Sequence, residues 1–160
     1  MRAYQVFAAM SPEMAEQLLR TLSQAAPGAA AQALAAASAV MKARPAYLAR
    51  QPVEKQAAAV RRCMARVASN PLAEEILAVY FLECRKELLI EWLDSAGVNH
   101  EDGTLADEAP AQPEAGALEQ AIERFRSGDG VEERELLLRA FAAQSAVDWP
   151  HLERRVSPER

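Results

Sequence analysis

The sequence predicts an all-α protein: a bundle of about six helices around one central apolar helix spanning about residues 72–96. Three observations carry this. Alanine, the best helix former, supplies 35 of 160 residues. Runs of Val, Ile, Thr and aromatics, which favour strands, are missing. Apolar residues recur at three- and four-residue spacing along most of the chain.

The elements follow in order. Ser11-Pro12 opens the first clear helix, with Ser11 as cap and Pro12 at the first helical position; Met14, Leu18 and Leu22 mark its buried face. Pro27-Gly28 ends it, and an alanine-rich helix follows over about 29–43, whose small side chains allow a neighbour to approach closely. Arg44 to Gln51, between Pro45 and Pro52, reads as a short helix or turn. A helix over 53–68 comes next. Val53, Ala57, Val60, Met64 and Val67 line one face, and Lys55, Arg62 and Arg66 share another. Asn70 is placed to cap the following helix, with Glu74 and Glu75 favouring its N-terminal dipole.

That helix, 72–96, is apolar around most of its circumference, with a polar stripe of Glu83, Glu87, Glu91 and Asp94, and so reads as the post of the bundle. Gly97 suits a left-handed stop, with Val98 packing back on Leu93. An acidic loop runs from Val98 to Pro113. Its 16 residues exceed the usual helix–helix connection, which marks it as either a functional loop or a spacer. Two helices follow within 114–147: Leu118, Ala121, Ile122 and Phe125 face inward on the first, Leu137 and Phe141 on the second. Asp148-Trp149-Pro150 closes the pattern, and the remaining chain is polar. The reading is one helical domain over 1–156, divided into a main bundle (1–97), the acidic loop (98–113) and two C-terminal helices (114–147), with a frayed tail at 157–160.

Composition excludes several classes. The formal net charge of −5 argues against a chain built as a whole to coat nucleic acid. The opening ten residues hold one basic residue and a short apolar run broken by Gln5, unlike a secretory leader. The uncharged stretch from Ala25 is too alanine-rich to span a bilayer, so no membrane is expected. Two cysteines, Cys63 and Cys84, each inside a helical pattern, are not a disulfide scaffold and point to a reducing, cytoplasmic setting. The excess of fifteen arginines over three lysines reads as bacterial coding bias.

Catalytic motifs are sparse. There is no Gly-x-Ser-x-Gly elbow and no glycine-rich phosphate loop, so no catalytic or cofactor-binding residue and no cofactor is assigned. The Glu83, Glu87, Glu91 stripe lacks the Glu-x-x-His partners of a metal-binding bundle. His100, Glu101 and Asp102, beside Gly103, are the one cluster of metal-ligating type, although their spacing matches no calcium or zinc signature.

Charge layout is the most unusual feature. Lys42 to Arg66 holds seven basic residues and one acid, whereas Glu91 to Glu123 holds nine acids and no lysine or arginine. The acidic loop would fold over the basic helix, or two chains would pair head to tail, or the basic face would meet an external anion. The leading expectation is a non-enzymatic helical protein–protein interaction or assembly module, binding a protein partner or itself as a homo-oligomer, with Lys55, Arg62 and Arg66 as docking residues. The alternatives are a nucleic-acid- or ribosome-associated binder using the basic helix, and a metal-binding protein or metal-dependent enzyme centred on His100.

Overall fold

The computed structural model describes residues 1–157. The expected tail at 157–160 therefore falls, except for Ser157, outside the described residues. The fold is all-α, with ten α-helices among the described residues rather than about six. They are α1 (Ala3–Ala9), α2 (Pro12–Ala25), α3 (Pro27–Val40), α4 (Pro45–Ala49), α5 (Val53–Met64), α6 (Asn70–Val79), α7 (Lys86–Ala96), α8 (Ala115–Arg126), α9 (Val131–Ala142) and α10 (Pro150–Val156). A two-stranded hairpin, β1 (His100–Glu101) and β2 (Thr104–Leu105), interrupts the series. No helix of the described residues is long and apolar enough to cross a membrane.

Proline sets much of the N-terminal half. Pro12 opens α2 behind Ser11, whose Oγ accepts the Met14 N–H at 3.0 Å. Pro27 does not end a helix but begins α3, one residue after α2 stops, because proline's fixed φ suits the first helical turn. The buried face of α3 is Ala30, Ala33, Ala37 and Ser38, so α2 and α5 both pack directly against its backbone. In α5, Ala57, Val60 and Met64 are buried as expected. The helix ends at Met64 rather than near residue 68. Arg66 adopts extended backbone and Val67 enters a separate short turn, 69% exposed instead of buried.

Asn70 also departs from its expected role. It lies inside α6, and its carboxamide oxygen reaches across to accept the Tyr4 N–H at 3.2 Å. It therefore satisfies one orphan donor at the start of α1, a helix that the periodicity did not reveal.

The expected post, 72–96, is two helices. Between α6 and α7 the chain makes one π turn over Tyr80–Cys84, closed by Arg85 N–H donating to the Tyr80 carbonyl at 3.0 Å, and Arg85 leaves the helical region at φ −132°, ψ 39°. Burial explains the break. Ala73, Ile76, Leu77 and Tyr80 form the buried stripe up to the π turn. Carried forward at 3.6 residues per turn, that stripe would bury Cys84, Glu87 and Glu91. The extra residue of the π turn shifts the phase, and α7 buries Leu89, Trp92, Leu93 and Ala96 instead. The expected burial of Tyr80, Phe81, Leu89 and Leu93 holds.

Gly97 ends α7 at φ +69°, and the Val98 N–H returns to the Leu93 carbonyl at 2.9 Å. The loop that follows is not featureless. Asp102 and Gly103 both have positive φ, the two-residue hairpin turn for which Asp-Gly is favoured, and they join β1 to β2. At its far end the Trp149 indole N–H donates to the Pro110 carbonyl at 2.8 Å. Pro150 then starts α10, where polar chain was expected; Leu152 and Val156 are buried.

The helix that is apolar around its girth is α9. It buries Leu136, Leu137, Leu138, Ala140, Phe141 and Ala142, and packs against α1, α6, α8 and α10. Its first turns carry Glu132, Glu133, Arg134 and Glu135. Glu132 accepts from Ser11 Oγ at the cap of α2. Glu133 accepts from the Tyr80 hydroxyl and from Arg85 Nε, the latter at 2.6 Å. Arg134 is buried and forks onto Glu91 at 2.7 and 3.1 Å. It also donates to the Asp129 and Phe125 carbonyls and lies over the Phe125 ring at 4.8 Å. Glu135 accepts from Nε and Nη2 of Arg126 at 2.9 and 3.0 Å.

Gly128 is part of this arrangement: a Cβ there would stand 2.3 Å from the Arg134 guanidinium carbon. Gly128→Ala should therefore displace the guanidinium and strand Glu91 and two carbonyls. In urea unfolding, Gly128→Ala and Arg134→Ala should each cost about 2 kcal/mol, the scale of lost hydrogen bonds to a charged group. The double variant should cost clearly less than their sum, because both changes remove one network. Additive effects would show that Gly128 and Arg134 act separately.

Candidate functional site

The seven cations expected to form a docking surface run from the end of α3 through α4 and α5. Lys42, Arg44, Arg50, Lys55, Arg62 and Arg66 are exposed, and Arg61 is half-buried. Lys55 and Arg62 stand two turns apart on α5, opposite its buried side, whereas Arg66 lies beyond the helix end. The segment is held in shape by Gln56, whose amide donates to the Ala49 and Gln51 carbonyls, both at 3.0 Å. Among the described residues none of the seven cations forms an ion pair, whereas Arg20, Arg85, Lys86, Arg126, Arg134, Arg139 and Arg155 all do. Apolar side chains are interleaved with these free charges. Val40, Met41, Tyr47 and Val67 are exposed within or beside the stretch, Tyr47 at 57%.

The acidic segment does not fold over this face. Its hairpin lies on α7, where Gly103 approaches Leu89 closely, and its Asp102 pairs with Lys86 at 2.7 Å. The three candidate ligands of the hairpin diverge. His100 Nδ1 accepts the Gly103 N–H at 3.1 Å and Nε2 meets Asp94 Oδ1 at 2.9 Å, so both ring nitrogens are engaged within the turn. Glu101 is exposed, and Asp102 is turned to Lys86. Among the described residues no three His, Cys, Asp or Glu side chains are grouped to hold a metal ion.

A thiol–imidazole pair is not assembled either. His151 bonds Glu119 at 2.6 Å, and this hydrogen bond, together with Arg155, holds the Glu119 carboxyl below its usual range. Cys63 is buried beside Ser69. Burial and then the Glu83 charge push the Cys84 thiol upward, the opposite of an activated nucleophile.

Two features had no sequence signal. One is the cluster at the π turn, where Tyr80, Arg85 and the largely buried Glu133 meet; the residues are 48 and 53 positions apart in sequence, and no local pattern links them. The other is a cavity of about 390 Å³ between α6, the π turn, α7, the hairpin and α9. Leu77, Phe81, Leu89, Leu93, Leu137 and Phe141 line its interior, and Glu74, Asp107 and Glu108 stand at its edge. Comparison of the chain with protein-family models, with curated proteins and with solved structures finds no match.

The π-turn cluster has a measurable consequence. Burial first, and then Glu133, push the Tyr80 phenol far above the ordinary tyrosine value near 10. The folded state thus holds this proton more tightly than the unfolded chain. Its contribution to stability is complete below the ordinary tyrosine range and is lost as pH rises through and beyond it. A spectrophotometric titration should find one of the three tyrosines ionising only as the protein unfolds in alkali, and Tyr80→Phe should remove that step. Three tyrosines titrating together in the folded protein would contradict the buried bond.

Proposed function

We propose that this chain is a non-enzymatic interaction module that docks an acidic protein surface through the exposed face of α3, α4 and α5. One observation carries the reading: among the described residues the seven cations of 42–66 have no acidic partner, in a fold that pairs most of its other cations. Seven cations less one acid leave +6 on this stretch, and therefore −11 on the rest of a chain of net −5. Such a surface repels itself until carboxylates meet it. Arginine suits that role, because its planar fork matches a carboxylate at two points. Exposed Tyr47 and Met41 beside the arginines add the apolar and aromatic area that dominates protein interfaces.

The strongly negative remainder favours a protein partner over a nucleic acid, whose phosphates it would oppose. A second copy of the chain meets the description, since Glu101, Asp107, Glu108, Glu114 and Glu123 are exposed elsewhere on the molecule. A cytoplasmic setting belongs to the same reading and is supported by the two free cysteines.

Reversing Arg62→Glu and Arg66→Glu together tests it. Helicity and melting temperature should stay within the small range of surface substitutions, about 0.5 kcal/mol each. Self-association by light scattering, or affinity for an isolated acidic partner, should fall about tenfold or more, and wild-type binding should weaken with salt. Loss of folding in the double variant would place those side chains in the core. Nuclease-sensitive capture with a steep salt slope in gel shift would assign the face to nucleic acid instead.

A further inference from the structure

We propose that the cavity between α6, α7, α9 and the hairpin is a binding site for a compact apolar molecule that carries a protonated amine. Three observations converge on it. The first is the void itself. It is a mostly apolar cleft open to solvent at its rim, the shape of a small-molecule site. Here about 390 Å³ stays open, within the size range of small-molecule sites, and Ala78 and Ala140 line it where a leucine would fill it.

The second is the rigidity of its edge. The 98–110 segment is tied at both ends: Asp102 to Lys86, the Ala106 N–H to the Asn99 carbonyl at 3.0 Å, and the Pro110 carbonyl to the Trp149 indole. Gly103, buried against Leu89, takes the positive φ of +88° that the tight hairpin turn needs. The opening is thus preformed rather than produced by a loose loop.

The third is the sign of the charge. Glu74, Asp107 and Glu108 line the cavity, and among the described residues no lysine or arginine does. Glu74 is oriented by Ser145, which donates its N–H at 2.7 Å and its hydroxyl at 2.9 Å to one carboxylate oxygen. Asp107 and Glu108 are exposed and make no ion pair among the described residues. An ammonium group at this edge gains from the carboxylates, while an acid or a phosphate is repelled by them. Leucine and phenylalanine walls select the apolar body, and the carboxylates select the head. The site uses other elements than the basic face; it shares Asp107 and Glu108 with the acidic side of a self-paired chain, and ligand titration and light scattering read the two separately.

The test uses one rigid body with three heads: adamantylamine, adamantanol and adamantanecarboxylate, titrated into the full chain at neutral pH by calorimetry and heteronuclear NMR. The amine should bind best, the alcohol more weakly and the carboxylate worst, with about tenfold or more between amine and carboxylate. Amide shifts should centre on Ala78, Leu105 and Phe141. Asp107→Asn with Glu108→Gln lies on the exposed edge and should leave the fold intact; it should bring the amine most of the way down to the alcohol, Glu74 remaining, without changing the alcohol. Ala78→Phe should abolish binding of all three by filling the void. Ala146→Trp, on the exposed rim, is the second plug should Ala78→Phe fail to fold. Equal binding of the three heads, no binding of the amine, or undiminished binding to a folded plugged variant would overturn the proposal.

Discussion

The rest of the structure depends on four consecutive charged residues at the start of α9. Glu132, Glu133, Arg134 and Glu135 reach in different directions: to the cap of α2, to the π turn, to α7 and α8, and to the end of α8. Successive helical residues point about 100° apart, so a run of four covers the whole circumference of the helix. That geometry is useful only where the helix is surrounded, and α9 is surrounded: the turns that follow bury apolar residues on nearly every side. The charged turns set which neighbour stands where, and the apolar turns supply the burial. Arg134 illustrates the division. Its guanidinium lies over the Phe125 ring, while four hydrogen bonds go to Glu91 and two carbonyls, so the buried charge is paired.

The π turn is the second constraint, and it explains why the sequence was misleading between residues 72 and 96. A helix that reads as apolar all round is ordinarily one surrounded by protein. Here the appearance arises from two ordinary amphipathic stripes of different phase, Ala73 to Tyr80 and Leu89 to Ala96, laid end to end. Superposed on a single helical wheel they fill it. Nothing in the local composition marks the extra residue at 80–84. What holds it there is distant: Glu133, bonded to both Tyr80 and Arg85, the first and the closing residue of the turn.

Legibility follows the range of the interaction. The caps and stops written in adjacent residues were readable: Ser11-Pro12, the Gly97 stop, and the inward face of α8 at Leu118, Ala121, Ile122 and Phe125. The free basic face was readable because it is a matter of composition, seven cations with one acid nearby. The Asp102-Gly103 hairpin carried its own turn signal, but its two-residue strands lack the alternating pattern that confirms one. Asn70 was read as a cap and is one, for a different helix. Trp149-Pro150 was read as an ending because proline stops helices as readily as it starts them; burial of Leu152 and Val156 against the preceding helices decides between the two. The cavity has no linear trace, since its walls come from segments far apart in the chain.

These two kinds of bonding divide the molecule. Among the described residues no side-chain hydrogen bond leaves the segment from Ala15 to Arg62; those present, from Arg20 to Glu16, Ser23 to Leu19, Ser38 to Leu34 and Gln56 to the α4 end, are local. Helices α2, α3 and α5 are joined by apolar packing of Ala, Leu, Val, Met and Cys side chains, which is non-directional. The C-terminal half is instead cross-linked by Glu–Arg and backbone bonds from Glu74 to Ser145, Arg126 to Glu135 and Arg139 to the Val156 carbonyl. The consequence is a separation of roles by charge. Where cations and anions are mixed in the sequence, many are consumed in holding helices together. Where cations are collected without anions, the packing beneath them is apolar, and six of the seven, all but the half-buried Arg61, stay exposed to whatever approaches from outside.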